Sequence, residues 1–236
     1  MYSAHLSKIE KLSLDNNLFL TQTYHHIFIG PEFVRDYFMN LYPESNFIVL
    51  PDRNFSSIQS YNRLLLSPWF YQIFGEYSHI LICQLDVCIT KKLELDDLLQ
   101  YDYVGAPCTF ELGKDAHVGN GGFSLRKVSA FQRALKHGFN GVAIEWKDCN
   151  TFRRFLRYTL NKLGLQKLYI GMGYINEDLI LSLSLKRPLF KPPLQKAAAF
   201  CQDAVIYDTI TPIAFHGWEK NLTGNLKNQC LEIIKN

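Results

Sequence analysis

The sequence lacks the cysteine patterns that mark a disulfide framework or a structural zinc site. Its six cysteines contain no Cys-x-x-Cys pair and are scattered at Cys83, Cys88, Cys108, Cys149, Cys201 and Cys230. Several of them lie inside apolar runs, where cysteine behaves as a small buried hydrophobic residue. We therefore expect free thiols and a reducing compartment.

Long apolar stretches are also missing. No stretch is long enough to span a bilayer, and the first residues, MYSAHLSKIEKLSL, contain no apolar signal region. We therefore predict a cytoplasmic protein. The two glycosylation sequons, at Asn54 and Asn221, are then chance matches.

A strong charge of either sign is absent as well. The formal charge is +3 over 236 residues and the isoelectric point is about 8.4. This mild excess does not indicate nucleic acid as a partner, but it suits an anionic small ligand or a loose membrane association. Hydrophobic residues make up 47% and charged residues 20%, as in an ordinary soluble globular protein with a substantial core.

Short apolar runs alternate with helical patterns, which is typical of α/β proteins with a mostly parallel central sheet flanked by helices. The most apolar run, 79–86, predicts a central strand buried on both faces. No repeat, low-complexity tract or linker divides the chain, so a single domain over 1–236 is predicted. Further strands are predicted over 26–31, 47–50 and 101–106, and helices over 7–14, 32–42, 57–66, 69–74, 151–163 and 176–185.

An acid ends this central strand, in the segment Gln84-Leu85-Asp86. Open α/β sheets bind their ligands outside the carboxyl ends of the strands, which favours a functional role for Asp86. The alternative is a cap or turn residue, although apolar Val87-Cys88-Ile89 follows at once. Position alone fits a phosphatase, a kinase-like enzyme or a glycosyltransferase.

The segment Gly119-Asn120-Gly121-Gly122 allows the backbone to approach a ligand or to adopt positive φ. It matches neither GxGxxG nor a Walker loop, which disfavours dinucleotide and P-loop functions. The alternative is a tight hairpin with an Asn-Gly turn.

Three further groups each allow two interpretations. Asn176-Glu177-Asp178 is either a helix cap with acids in the first turn or the source of a general base. His216 is either a hydrogen-bonded core histidine or a metal ligand. Tyr61-Asn62-Arg63 offers a guanidinium that can grip a diphosphate, or an ordinary surface arginine.

The order of these features resembles the GT-A glycosyltransferases. The resemblance is closest to a bacterial group of GT-A transferases, themselves without an assigned activity, found in surface-polysaccharide gene sets. It covers residues 57 to 221 and rests on SIQSYNRLLLS, HILICQLDVCI, DYVGAPC, VGNGGFSLR, NEDLILS and AFHGWEKN. The segment at Tyr61 is also similar to the donor-binding helix start of the β-1,4-galactosyltransferases.

The resemblance implies a single GT-A-like, Rossmann-like domain that transfers a sugar from a nucleotide-sugar donor to a hydroxyl of a glycan or lipid-linked acceptor. It implies an inverting enzyme that depends on Mn²⁺ or Mg²⁺, with Asp86 as a metal ligand and His216 as a second ligand or diphosphate contact. Asp178 is then the general base, and Glu177 orients the acceptor. The implied donor-binding residues are Tyr61, Asn62, Arg63, Gln84, Asn120, Gly121 and Gly122.

Two departures from the family pattern bear on activity. The usual DxD motif is QxD here, because Gln84 stands where the first acid is expected. The usual first strand is also missing, since the chain starts with the predicted helix 7–14; either 22–29 takes its place or the nucleotide pocket lacks a wall. These departures sustain a second hypothesis, a non-catalytic nucleotide-sugar or glycan-binding protein.

A third hypothesis is a metal-dependent phosphoryl transferase or hydrolase that uses Asp86. The absence of a phosphate loop and of a second acidic cluster at a strand end weakens it.

The predicted helix 151–163 is basic and amphipathic. Its sequence places Phe152, Phe155, Leu156, Leu160 and Leu163 on one face and the charges Arg153, Arg154, Arg157 and Lys162 away from it. This helix could rest on a membrane that carries a lipid-linked acceptor. We favour the ordinary alternative, in which the apolar face packs into the core.

Overall fold

The computed structural model of the chain describes residues 5–108, 117–139, 151–163, 165 and 176–235. The helices are α1 (Lys8–Leu20), α2 (Glu32–Leu41), α3 (Ile58–Leu65), α4 (Pro68–Ile73), α5 (Val128–His137), α6 (Thr151–Lys162), α7 (Glu177–Leu183), α8 (Leu194–Phe200), α9 (Trp218–Asn221) and α10 (Gly224–Ile233). The strands are β1 (Ile27–Gly30), β2 (Asn46–Val49), β3 (His79–Cys83), β4 (Val87–Ile89), β5 (Tyr103–Gly105), β6 (Pro107–Cys108), β7 (His117–Val118), β8 (Phe123–Lys127), β9 (Cys201–Gln202) and β10 (Ala214–His216).

Local signals in the sequence explain where several helices begin. Ser57 caps α3, because its hydroxyl accepts a hydrogen bond from the Ser60 amide at 3.1 Å. Ser67 caps α4 in the same way, and Pro68 occupies its first turn. Ser7 and Glu10 form a reciprocal capping box at α1. The helix predicted over 7–14 therefore starts as expected but runs on to Leu20.

The strands of the described residues form small sheets with mixed directions. They are ordered β1-β2, β3-β8-β5, β4-β10-β9 and β6-β7, and four of the six pairings are antiparallel. A mixed α/β fold is thus confirmed. The prediction of a mostly parallel central sheet is wrong for this part of the chain.

The reason for this error lies in the connections between β3 and β8. The described residues between these strands contain short strands and a single 3₁₀ turn (Asp96–Leu98), and no α-helix. Parallel neighbours are usually joined by a crossover α-helix, whereas antiparallel neighbours need no such helix. The apolar runs themselves carry no information on strand direction, and β8 returns antiparallel to β3 with Leu81 opposite Leu125.

Strand β3 also ends earlier than the predicted strand 79–86. After Cys83 the chain turns, with the Val87 amide bonded to the Gln84 carbonyl at 3.2 Å, and β4 begins in a different sheet. Asp86 therefore lies in the connection between two sheets. In the segment 22–29, which was a candidate substitute for a first strand, residues 27–29 belong to β1, which is parallel to β2.

Helix α1 lies against β4 through an asparagine side chain. The Asn17 amide donates to the Val87 carbonyl at 2.8 Å and its oxygen accepts from the Ile89 amide at 2.9 Å. A buried side chain thus supplies the hydrogen bonds that a neighbouring strand would supply. This contact fixes α1 beside the chain segment that follows Asp86.

The main core lies between the sheet β3-β8-β5 and helices α3, α4, α5 and α7. Tyr71, Tyr103 and Phe131 are fully buried in it, and Ile27, Ile48 and Ile80 of β1, β2 and β3 pack against it. These aromatic side chains therefore pack in the core.

Helix α6 differs from its prediction. Leu160 is buried and Leu156 packs against the main core, but Phe152 and Phe155 are 72% and 68% exposed. The prediction that its whole apolar face lies in the core is therefore only half right. None of the helices in the described ranges is long and apolar enough to cross a bilayer.

Candidate functional site

His216, the last residue of β10, lies at the centre of a polar cluster. Because β10 pairs with β4 in a register that sets His216 opposite Val87, the imidazole lies beside Asp86. Its Nε2 atom is 3.4 Å from Asp86 Oδ1 and 3.2 Å from Gln84 Oε1. The Gly217 amide also donates to the Asp86 carbonyl at 2.9 Å, which holds the two segments together.

A second carboxylate faces the other nitrogen of the ring. Asp203 follows β9, the parallel neighbour of β10, and its Oδ2 atom is 3.3 Å from His216 Nδ1. The side-chain amides of Asn120 and Asn221 donate hydrogen bonds to the two oxygens of Asp203. The carboxylate is therefore fixed by three partners, and in turn it fixes the orientation of the imidazole.

The charges of this cluster support one another. Burial opposes the charged form of His216, but the hydrogen bonds and charges of Asp203 and Asp86 outweigh it and raise the pKa to about 9. The hydrogen bond from His216 lowers the pKa of Asp86, against the opposing effect of burial. At neutral pH an imidazolium thus lies between two carboxylates.

Gln84 connects the cluster to helix α3. Its amide nitrogen is 3.5 Å from the Tyr61 hydroxyl, which leaves Oε1 directed at His216. The Gln84 backbone amide donates to the Gly122 carbonyl at 2.9 Å. Burial raises the pKa of Tyr61, so that its hydroxyl stays protonated while its oxygen accepts the hydrogen bond from Gln84.

The glycine-rich segment 119–122 packs between His216 and α7. A β-carbon at Gly122 would collide with the His216 ring, and one at Gly121 would collide with the Glu177 carboxylate. These glycines have no positive φ, which excludes the type I′ Asn-Gly hairpin turn as their explanation. Close approach of other groups is what requires glycine here.

Behind this segment lies a fully buried arginine. Arg126 is 3.3 Å from Glu177 Oε1 and also donates to the Tyr71 hydroxyl and the Ser124 hydroxyl, both at 2.9 Å. Its second terminal nitrogen donates to the Gly121 carbonyl at 3.3 Å. The Arg126–Glu177 pair thus ties α7 to the glycine-rich segment and satisfies both charges.

Asp178 follows Glu177 in the first turn of α7. Burial, and then the charge of Glu177, raise the pKa of Asp178 to about 7. Its Oδ1 atom accepts from the Leu179 amide at 2.7 Å. Asn176 occupies the predicted cap position of α7, but its side chain makes no capping hydrogen bond.

The segment Tyr61-Asn62-Arg63 is divided between three environments. Tyr61 reaches Gln84, whereas Asn62 is buried in α3. Arg63 donates to the Ser60 hydroxyl at 3.2 Å and lines a surface cleft of about 340 Å³. That cleft is also lined by Pro51, Arg53, Asn54, Leu64, Ser67 and Trp69.

Sequence reasoning missed Asp203, Asn221 and Arg126 as parts of this arrangement. Asp203 comes two residues after an apolar run that ends in Cys201, which is a weaker form of the signal at Asp86. Asn221 and Arg126 lie within the motifs AFHGWEKN and VGNGGFSLR, but no role was assigned to them. Within the described ranges, no group of three or more His, Cys, Asp or Glu side chains is arranged to hold a metal ion.

The structure defines a mixed α/β protein in which a histidine flanked by carboxylates meets a glycine-rich segment and an acidic helix start. The chain belongs to the DUF5672 family, described as a protein of unknown function, because the family model matches residues 44–216. Asp86, Asp178, Asp203 and His216 all lie in that range. Comparisons with curated proteins and with solved structures gave no match.

Proposed function

We propose that this chain is an inverting, metal-dependent glycosyltransferase with a GT-A-like fold, which moves a sugar from a nucleotide-sugar donor to a hydroxyl of a glycan or lipid-linked acceptor. The observation that carries the proposal is the convergence of Asp86, Gln84 and His216 at the ends of β3 and β10, beside the glycine-rich segment. In this proposal β1 takes the place of the usual first strand, and the connection between β3 and β4 together with the end of β10 carries the metal-binding residues.

The atoms around His216 suit a divalent cation. Asp86 Oδ1 and His216 Nε2 are 3.4 Å apart, whereas adjacent octahedral ligands about 2.1 Å from one ion lie about 3.0 Å apart, so the two groups would close by a few tenths of an ångström on the ion. Asp203 on Nδ1 selects the tautomer whose Nε2 lone pair points to the ion, once the imidazole is neutral. Asp86 and His216 would hold Mn²⁺ or Mg²⁺, with Gln84 Oε1 as a third donor, and would leave positions for diphosphate oxygens.

When bound, such an ion neutralises the charge that develops on the departing nucleoside diphosphate. This chain's residues then bind and orient the donor. Gln84, Tyr61 and Asn120 contribute hydrogen-bonding groups around His216, and Gly121 and Gly122 let the glycine-rich segment lie directly against Glu177 and His216.

Arg63 contributes to donor binding through the cleft at α3. Two guanidinium groups, Arg53 and Arg63, line this cleft together with the half-exposed indole of Trp69. Guanidinium groups bind phosphate oxygens in a bidentate manner, and an indole can stack on a base. Buried Asn62 supports α3 rather than touching the donor itself.

Asp178 is the proposed general base. A pKa of about 7 keeps a substantial fraction of the carboxylate ionised at neutral pH while making it basic enough to take the proton of the acceptor hydroxyl. Glu177 orients the acceptor side of the site indirectly, because its ion pair with Arg126 fixes the start of α7. We regard Glu177 as a positioning residue.

One experiment separates the transferase from its two alternatives. The protein is incubated with Mn²⁺ and a panel of sugar nucleotides, and nucleotide binding, nucleoside diphosphate release and phosphate release are measured. Release of nucleoside diphosphate that increases with added acceptor glycans supports the proposal. Binding without release supports a non-catalytic binding protein, and release of inorganic phosphate without sugar transfer supports a hydrolase.

Within the same assay Arg63→Gln should weaken donor binding. Arg35→Gln, an exposed arginine of α2 away from the cleft, is the matched control and should leave donor binding unchanged. Equal donor affinity in the two variants would remove Arg63 from the donor site.

A further inference from the structure

Helix α6 exposes a set of large apolar side chains, which we call the α6 surface. Phe152 is 72% exposed, Phe155 is 68% exposed and Leu163 is 63% exposed, while Leu165 just beyond the helix is 42% exposed. The helix is nevertheless anchored to the protein, because Leu160 is buried and Leu156 packs against the main core. One edge of the apolar face of α6 is thus fixed to the fold, and the rest of that face is exposed.

Helix geometry gathers these exposed residues on one side. Phe152 and Phe155 are three residues apart, and Leu163 lies about three turns after Phe152, so the three side chains share a face. Single exposed hydrophobic residues are normal on a protein surface, but a continuous apolar strip marks an interaction site. A partner with an apolar layer is therefore expected here.

The same helix is strongly basic. Residues 151–163 contain Arg153, Arg154, Arg157 and Lys162 and no acidic residue. The chain has 25 basic and 22 acidic residues, so the part outside this helix has 21 basic and 22 acidic residues and a formal charge of −1. The formal charge of +4 on this segment thus exceeds the net charge of the whole chain.

We propose that the α6 surface docks on an anionic lipid bilayer. Amphipathic helices with basic residues and exposed phenylalanines lie in the interface plane, with the apolar side chains at the boundary of headgroups and acyl chains. Anionic headgroups complement the four positive charges. A second copy of the chain fits less well, because two α6 helices with four positive charges each would repel one another. This inference does not depend on the proposed glycosyltransferase activity.

The test is co-sedimentation of the full chain with vesicles. We expect pelleting with phosphatidylcholine vesicles that contain phosphatidylglycerol, little pelleting with pure phosphatidylcholine, and loss of binding at high salt. The double variant Phe152→Ser and Phe155→Ser should bind weaker by on the order of tenfold or more, because two phenylalanines no longer enter the bilayer. Both residues are exposed, so the variant should keep the unfolding temperature of the wild type.

The matched control is Phe19→Ser and Phe33→Ser, which removes two phenylalanines that are 66% and 60% exposed on α1 and α2. This control should bind vesicles like the wild type. Absence of pelleting with anionic vesicles overturns the proposal, as does equal binding by the α6 variant and the control. Self-association that is lost only in the α6 variant, without vesicle binding, would assign the surface to contacts between copies and likewise overturn it.

Discussion

Each ring nitrogen of His216 faces its own carboxylate. The two carboxylates are held in different ways, and this difference gives the two nitrogens different roles. Asp86 approaches Nε2 from a connection between two sheets, whereas Asp203 approaches Nδ1 and is itself held by two asparagine amides. A ligand that replaces the proton on Nε2 would therefore find the imidazole already oriented. Asp203 serves as a positioning residue for His216.

Asp203→Asn is expected to weaken Mn²⁺ binding by about 10–100-fold, because an amide stabilises the required tautomer of His216 less well than a carboxylate. Isothermal titration of the purified protein with Mn²⁺ measures this directly. Asp208→Asn, at an exposed position five residues further along the chain, is the control and should leave the affinity unchanged. An unchanged affinity in Asp203→Asn would show that Asp203 has only a structural role.

Asp178 has the second perturbed environment of the site, and its raised pKa gives the proposed reaction a pH dependence. Turnover requires the ionised carboxylate, so kcat should rise with pH through about 7. Asp178→Asn should lower kcat by about 10²–10⁴-fold and leave the affinity for the donor unchanged, since the general base acts on the acceptor hydroxyl. Steady-state kinetics from pH 5 to 9 check both statements. Loss of donor binding in a normally folded variant would contradict the assignment.

The burial of Asp178 also makes the free energy of unfolding depend on pH. This free energy should fall as pH rises, whereas kcat should rise. Because folding raises the pKa of Asp178, its contribution to the free energy of unfolding is fully present below its unfolded pKa of about 3.9 and is lost as pH rises through about 7. Asp178→Asn removes this loss, so the variant should be as stable as the wild type or more stable at pH 8. Urea unfolding at pH 4 and pH 8 compares the two proteins. A variant that is clearly less stable at pH 8 would argue against burial as the cause of the raised pKa.

At the scale of single residues, the sequence pointed to Asp86 by its position at the end of an apolar strand and to His216 by its place in the motif AFHGWEKN, and the structure brings these two together. It did not point to Asp203, because a strand of two residues, Cys201–Gln202, leaves little periodicity to recognise. Nor could it show that Arg126 would be buried, since burial of an arginine depends on a partner, Glu177, that lies 51 residues away in the chain.

Among the secondary-structure elements, α1 and β4 form an unusual pair. The edge of β4 beside α1 is satisfied by the side chain of Asn17 and not by another strand, and Asn16 adds a hydrogen bond to the Ile89 carbonyl at 2.9 Å. This arrangement replaces a strand by a helix at the edge of the sheet that carries His216.

Asn17→Ala should destabilise the protein by about 1–3 kcal/mol for each of the two backbone groups that lose their partner, the Val87 carbonyl and the Ile89 amide. Chemical denaturation measures the change in the free energy of unfolding. Asn228→Ala, at an exposed position of α10, is the control and should change it by less than about 0.5 kcal/mol. A similar small effect at Asn17 would mean that water reaches the edge of β4.

The starts of several helices could be predicted well because their signals are local, whereas the end of α1 at Leu20 was missed. Ser57, Ser67 and Pro68 act within one turn of the helices that they start. Strand pairing could not be predicted in the same way, because the partner of β3 is β8, whose paired residues lie 40 to 48 positions further along the chain. An apolar run predicts a strand, but its direction in the sheet depends on these distant contacts.

For the molecule as a whole, the site forms where the sheets β3-β8-β5 and β4-β10-β9 meet. Gln84 follows the first sheet, His216 ends a strand of the second, and the glycine-rich segment that precedes β8 lies against both. Periodicity also predicted α6 as an amphipathic helix, but amphipathicity does not say what covers the apolar face. Only the packed structure shows Phe152 and Phe155 exposed beside a buried Leu160.

The central claim is that Asp86 and His216 hold a divalent cation that binds a nucleoside diphosphate. The most direct measurement is the binding of uridine and guanosine diphosphate to the wild type and to Asp86→Asn, with Mn²⁺ and with a chelator. We expect at least one of the two to bind the wild type only in the presence of Mn²⁺. The affinity should fall by on the order of tenfold or more in Asp86→Asn, which loses the charge of a metal ligand. Binding that is unaffected by both the chelator and the substitution would contradict the claim.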